Sequence, residues 1–114
     1  MVITQGDVWW ADFPDPTGSE AGYRRPLVVV QGESFNRSRI HTVVAVPLTS
    51  QLRWGAAPGN AQLSANDTGL PRDSVANVSQ VTALDRRRLI ERVGALPRIK
   101  LDLILSGIDV VLGR

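Results

Sequence analysis

The amino-acid sequence predicts a mainly β domain with short helices and one C-terminal α-helix, arranged as a small barrel or a compact antiparallel sheet. Three observations predict it. Apolar and β-branched residues come in short runs. Clusters of Gly, Pro, Asn and Asp interrupt those runs. Only the last segment, from Pro97, carries a helical period.

The elements follow in order. Gly6 to Phe13, with Val8, Trp9, Trp10 and Phe13, has the β-branched and aromatic character of a first strand. Pro14 to Tyr23 is rich in turn formers and is expected to be a long loop. Leu27 to Val30 is a continuous apolar run, hence a buried second strand. Glu33 to Arg39 is polar and holds at most a single helical turn. Thr42 to Leu48 is a third strand, and Gln51 to Asn60 a second long loop. Further strands are expected at Ala61 to Leu63, Ser74 to Val78 and Arg92 to Ala95. Pro97 suits the first position of a helix. Beyond it, Leu101, Ile104, Leu105, Ile108, Val111 and Leu112 recur on one face. Gly107 inside that helix costs about 1 kcal/mol against alanine, so the helix must rely on packing.

Length and composition bound the function. The 114 residues argue for one domain spanning 1–114. Hydrophobic residues at 43% and charged residues at 21% fit an ordinary globular protein rather than a disordered one. Without cysteine there is no disulfide framework, thiolate zinc site or cysteine nucleophile. Met1 to Gly6 has no basic region leading into an apolar core, so no signal peptide is expected. No apolar run is long enough to span a bilayer, and a cytoplasmic location is expected. Net charge is only +2, but Arg24-Arg25, Arg37 with Arg39, and Arg86-Arg87-Arg88 form basic groups. Of 13 basic residues one is lysine. Arginine suits planar, bidentate phosphate contact; a GC-rich coding sequence produces the same bias.

Several catalytic schemes drop out. His41 is the only histidine, so acid/base catalysis by two histidines is impossible within one chain. As a lone residue entering a strand, His41 reads as structural or solvent-facing. No histidine/carboxylate cluster has metal-ligand spacing, and there is no phosphate-binding glycine loop. No Gly-x-Ser-x-Gly elbow supports a serine triad. What remains is a set of hydroxyls and arginines at strand ends and in loops.

Those residues carry a resemblance. Gly6-Asp7-Val8-Trp9, then Gly18-Ser19-Glu20 followed by Arg25-Pro26 and Val29-Val30, then Val46-Pro47-Leu48-Thr49-Ser50, occur in this order. Asp73-Ser74, Asn77 and Ser79-Gln80-Val81 follow, and then the leucine-rich terminal helix. Together they resemble the MazF/PemK family and cover nearly the whole chain. The resemblance implies an SH3-like small barrel of the MazF, CcdB and Kid kind plus a C-terminal α-helix. It implies a homodimeric toxin that cuts single-stranded RNA without ribosome, metal or other cofactor, leaving a 2′,3′-cyclic phosphate. It also implies a cognate, MazE-like antitoxin whose acidic tail covers the RNA groove. Two alternatives stay open: a relative on the same fold that poisons DNA gyrase, and a non-catalytic RNA-binding barrel.

By that resemblance Arg25 and Thr49 match the catalytic arginine and threonine. On the residues alone Arg25 is a solvated loop arginine and Thr49 a β-former closing a strand. Ser79 stands where several relatives carry a carboxylate, so no carboxylate base is expected there. Arg25, always protonated, is expected to stabilise charge and donate a proton, with the base unassigned. Single-stranded RNA is read by stacking and by hydrogen bonds to base edges. The expected RNA-binding set is therefore Ser19, Glu20, Tyr23, Arg24, Asn36, Ser50, Arg53, Trp54, Asn77, Ser79 and Gln80. Within it Glu20 reads as a loop-ordering partner for an arginine or a solvated acid. Trp54 reads as an RNA contact or as a dimer or packing contact. Arg86-Arg87-Arg88 reads as a solvated face that could meet phosphates or an acidic partner.

Overall fold

The computed structural model describes residues 1–13 and 23–114. Its strands are β1 (Asp7–Phe13), β2 (Tyr23–Val29), β3 (Thr42–Thr49), β4 (Ala61–Leu63), β5 (Ser74–Ala76), β6 (Thr82–Asp85) and β7 (Leu89–Ala95). Its helices are α1 (Glu33–Asn36), α2 (Ala65–Thr68) and α3 (Arg98–Leu112). Short 3-10 turns occupy Leu52–Ala56, Val78–Gln80 and Arg86–Arg88.

The pairings are all antiparallel, in the order β4-β5-β3-β2-β1-β7, with β6 also on β3. β3 organises the sheet because it meets three partners in succession. Thr42 to Ala45 pair with β6, Ala45 to Pro47 with β2, and Leu48 and Thr49 with β5. A strand that changes partners along its length must bend, and the sheet curls into a half-barrel. Register shifts between β1 and β7 on either side of Trp9 and Trp10 add local twist. The expectation of a small, mainly β barrel with a C-terminal helix holds.

Alternate residues feed two cores. Trp9, Ala11, Phe13, Leu27, Val29, Val43 and Ala45 pack with Leu84 and Leu89 on one face. Val8, Val28, Val46 and Leu48 pack with Leu63, Val78, Leu101 and Ile104 on the other, under α3. Burial on both faces explains why Leu27 to Val30 is a continuous apolar run rather than an alternating one.

Helix α3 begins one residue later than expected, with Pro97 as its cap. Leu101, Ile104 and Gly107 are buried, and Leu105 and Ile108 partly so. Val111 and Leu112 are exposed, so the apolar stripe ends earlier than its sequence period implied. Gly107 lies where no side chain fits: a Cβ there would overlap the carbonyl oxygen of Gly59. The glycine costs helix propensity but lets α3 touch the loop before β4. Gly107→Ala should therefore lower stability by about 1–3 kcal/mol through overpacking, despite a propensity gain of about 1 kcal/mol. Urea denaturation measures this, and a variant as stable as its parent would show that the loop yields.

Candidate functional site

A cleft of about 360 Å³ opens where β2 and β3 separate. Its origin lies in one residue. The amide of Val30 donates to the carbonyl of Val44, and hydrogen-bonded pairs in an antiparallel ladder recur at every second residue. After Val30 with Val44 comes Val28 with Val46, and the next position would join residue 26 to Leu48. Residue 26 is proline, which has no N–H to donate. The ladder ends there, while the opposite edge of β3 pairs with β5, Leu48 with Ala76 and Thr49 with Val75.

The abandoned Leu48 carbonyl is taken by Arg25, whose Nη2 donates to it at 3.3 Å. The guanidinium lies over the rings of Phe13 (5.7 Å) and Tyr23 (5.6 Å), which stack on each other across β1 and β2. Arg25 is thus half-buried and held from below. With five N–H donors and no acceptor, it has donors left for a ligand. Among the described residues no carboxylate lies within ion-pair distance of it. Thr49 stands across the seam. Its Oγ1 accepts from the Gln51 amide at 3.2 Å, which leaves the hydroxyl proton to donate outward. Ser50 is exposed beside it.

Two further walls complete the cleft. On one side Arg24 lies over the half-buried Trp10 ring at 5.4 Å, with Glu91 3.7 Å away. On the other stand Leu70, Pro71, Arg72 and Ser74. This second wall is carried by α2, whose N-terminus is closed by a reciprocal capping box between Ser64 and Asp67. Gly69, at φ +84°, then reverses the chain into Leu70. Arginines 24, 25 and 72 make the cleft cationic, which concentrates anionic ligands.

The rest of the expected RNA-binding set is distributed as follows. Tyr23 and Arg24 join the cleft region with Arg25. Arg53 lies over the exposed Trp54 ring at 5.4 Å, on the 3-10 turn beyond β3. Asn60 ties that turn to the next one. Its Nδ2 donates to the Trp54 carbonyl (2.9 Å) and to Asn77 Oδ1 (3.4 Å), and its Oδ1 accepts from the Val78 amide (2.9 Å). Ser79 Oγ also donates to Asn77 Oδ1, and Gln80 is exposed. Trp54, Asn77, Ser79 and Gln80 thus form a knitted surface outside the cleft walls. Ser19 and Glu20 lie outside the described residues.

Asn36 corrects an expectation. It is buried, its Oδ1 accepts from Gln31, and its Nδ2 donates to the Gln31 carbonyl and to Glu33. Its amide has no free edge for a base. A bond from the Gln5 amide, and after it this one from Asn36, hold the Glu33 carboxyl below its ordinary range. The run Arg86 to Arg88 is also largely occupied. Arg86 donates to the carbonyls of Phe35 and Asn36, and Arg87 chelates Asp85, lowering that carboxyl to about 2. His41 is exposed, and its carbonyl accepts from the Arg86 amide.

Trp10, Asn60, Leu70, Pro71 and Arg72 escaped the sequence reading. For the wall at 70–72 a signal existed: Ser64-x-x-Asp67 followed by Gly69 marks the start and stop of a one-turn helix. Nothing local marked Asn60.

A family model described as PemK-like, MazF-like toxin of type II toxin-antitoxin system matches residues 4–112. The chain belongs to the MazF/PemK family. It is 41% identical over 112 residues to endoribonuclease MazF6 of Mycobacterium tuberculosis strain H37Rv, covering 98% of each chain. It is 30% identical over 112 residues to endoribonuclease EndoA of Bacillus subtilis strain 168, covering 98% of this chain and 96% of that one. Among solved structures, MazF from Deinococcus radiodurans superposes with a TM-score of 0.80 at 25% identity, covering 100% and 99% of the two chains. A MazE-MazF structure from the same organism superposes at 0.79 and 26% identity, covering 99% and 97%. The MazF/PemK fold is therefore the half-barrel with terminal helix described above.

The buried amide of Asn36 generates a prediction for this MazF/PemK chain. Asn36→Ala leaves the Gln31 carbonyl without its donor and removes one acceptor of the Gln31 amide, and should cost about 1–3 kcal/mol of stability. Ligand binding in the cleft, per folded molecule, should stay within a factor of two. A loss of binding larger than the loss of folded protein would return Asn36 to the site.

Proposed function

We propose that this MazF/PemK chain is an endoribonuclease toxin, a single domain that cuts single-stranded RNA independently of the ribosome and without a metal ion. The observation that carries the proposal is the Arg25 guanidinium, fixed at the opened β2–β3 seam in a cationic cleft that also holds Thr49. The endoribonuclease names of relatives at 41% and 30% identity support it. RNA supplies its own nucleophile. The 2′-oxygen gives up its proton and bonds to phosphorus, the P–O5′ bond breaks, and the 5′-oxygen takes up a proton. The products are a 2′,3′-cyclic phosphate and a 5′-hydroxyl. Arg25 stabilises the charge on the five-coordinate phosphorus and hydrogen-bonds the departing 5′-oxygen, and Thr49 adds a donor from the other wall. Among the described residues no three of His, Cys, Asp or Glu come together as metal ligands.

The surface of Tyr23, Arg24, Ser50, Arg53, Trp54, Asn77, Ser79 and Gln80 would receive the flanking nucleotides, and the resemblance adds Ser19 and Glu20, which lie outside the described residues. A cognate antitoxin, MazE-like as in the Deinococcus MazE-MazF structure, would block the same cationic cleft with an acidic segment. No helix among the described residues is long and apolar enough to cross a membrane. The proposed setting is the cytoplasm, where the RNA is.

The test is incubation with defined single-stranded RNA in excess chelator, with the new ends mapped. Cyclic phosphate and 5′-hydroxyl ends are expected. Arg25→Ala and Thr49→Val should each cost about 10²–10³ in rate, and Arg25→Lys should rescue poorly because a point charge cannot replace the fork. Cleavage only after adding a divalent ion, or plain 3′-hydroxyl ends, would overturn the mechanism.

A homodimer is also proposed. Leu103 and Val110 are more than half exposed on α3, beside the groove they form with Gly59 to Gln62. Sedimentation at micromolar concentration should give twice the chain mass. An active monomer at that concentration would exclude a dimeric working form.

A further inference from the structure

We infer that Arg72 contacts a second phosphate of the bound strand, the one adjacent to the scissile phosphate, and that the slot between Arg72 and Arg25 seats the intervening nucleotide. This inference rests on the ribonuclease reading of the cleft and extends it to the opposite wall.

The geometry of the loop carries the argument. An exposed arginine ordinarily serves only solubility, its backbone free to drift. Arg72 is exposed, but its backbone is fastened on both sides. Before it, Leu70 is buried in the core beneath α3, and its amide donates to Thr68 Oγ1 at 3.0 Å. After it, Asp73 Oδ1 accepts from the Ala65 amide at 2.9 Å. Ser74 is then buried in β5, paired with Leu63. Pro71 restricts the one remaining backbone link. The loop is thereby held against the cleft, and Arg72 lines it together with Arg25 and Thr49.

Arg72 is also unspent. Among the described residues it makes no hydrogen bond and no ion pair with a carboxylate, whereas Arg86, Arg87 and Arg98 are all engaged internally. On its own wall Leu70 and Pro71 are apolar, and the buried Ser74 takes no hydrogen bond from it. A planar fork of donors without an internal partner, lining a cationic cleft, matches an anionic oxygen pair rather than a base edge. Arg25 is already committed to the phosphate being cut, so the fork across the slot meets the next one. The cleft volume of about 360 Å³ sits at the small end of the ~300–1,000 Å³ usual for ligand pockets, which suits one nucleotide unit.

The experiment uses a short RNA spanning a cut site mapped with the full-length protein. Arg72→Gln should raise KM about tenfold, one charge-assisted hydrogen bond, with kcat within about threefold. The log KM against log salt slope should fall by about 0.7, the contribution of one single-strand phosphate. Arg72→Lys should restore most of that slope. A neutral methylphosphonate is then placed at each non-scissile linkage in turn, on a 2′-O-methyl nucleotide, with the normal phosphate on the same nucleotide as its control. At one linkage adjacent to the cut, the parent and Arg72→Gln should become equal, while elsewhere the tenfold gap persists. A gap that survives at every linkage, or kinetics unchanged in Arg72→Gln, overturns the inference and leaves the ribonuclease reading intact. An unaltered protein that does not cut RNA overturns both.

Discussion

The site depends on a hydrogen bond that cannot form. Where β2 would continue its ladder with β3, Pro26 has no N–H for the Leu48 carbonyl. A buried carbonyl without a donor costs about 1–3 kcal/mol, so something must take it. The neighbouring side chain does: Arg25 donates to it at 3.3 Å. The same event therefore opens the seam and fixes a guanidinium in the opening. Any other residue at 26 would bring an amide to compete with Arg25 for that oxygen and would tend to zip the cleft shut.

A guanidinium with the proposed role of charge stabilisation must be rigid, and the surroundings supply the rigidity. The stacked pair of Phe13 and Tyr23 supports its face, and that pair is anchored where Phe13 enters the core with Leu27 and Val29. β3 is buried along nearly its whole length, so Thr49 sits at the end of a fixed rod rather than on a loop. The second core, under α3, positions the opposite wall through Leu70. Each face of the sheet thus holds one side of the cleft. The close approach of Gly59 to Gly107 and the three bonds of Asn60 extend that order to the turns carrying Trp54 and Ser79.

Much of this was legible in the residues. Strands at β1, β3, β4 and β7 and the helix α3 follow from composition and period, because their apolar residues face a core. Arg25 and Thr49 were singled out through resemblance, and they do line one cleft. β6 was not foreseen, since Thr82 to Asp85 buries only Leu84 and takes its strand form from pairing with β3. Asn36 was misjudged because a buried amide and a base-reading amide are identical in sequence; only the presence of Gln31 and Glu33 around it tells them apart. Trp10 looked like Trp9, but successive side chains of β1 face opposite sides of the sheet, which leaves one ring in the core and the other half-buried at the cleft. Arg72 was invisible for a different reason. It lies 47 positions after Arg25 in the numbering, and only the partner switch of β3 brings the two walls together.

On the proposed function, that partner switch also separates chemistry from recognition. The elements that hold Arg25 and Thr49 are central strands, buried on both faces, where substitution disturbs the fold. The elements that hold Arg72, Trp54 and Ser79 are a one-turn helix with its loop and two 3-10 turns, tied by side-chain bonds at their ends. Loops of that kind tolerate change better than the strands they join. A strand of RNA crossing the cleft would meet invariant physics at the seam, where a missing amide demands a guanidinium. It would meet adjustable chemistry on either side. On the proposed function, sequence preference can shift through residues such as those at 54, 72 and 79 without disturbing the bond between Arg25 and Leu48.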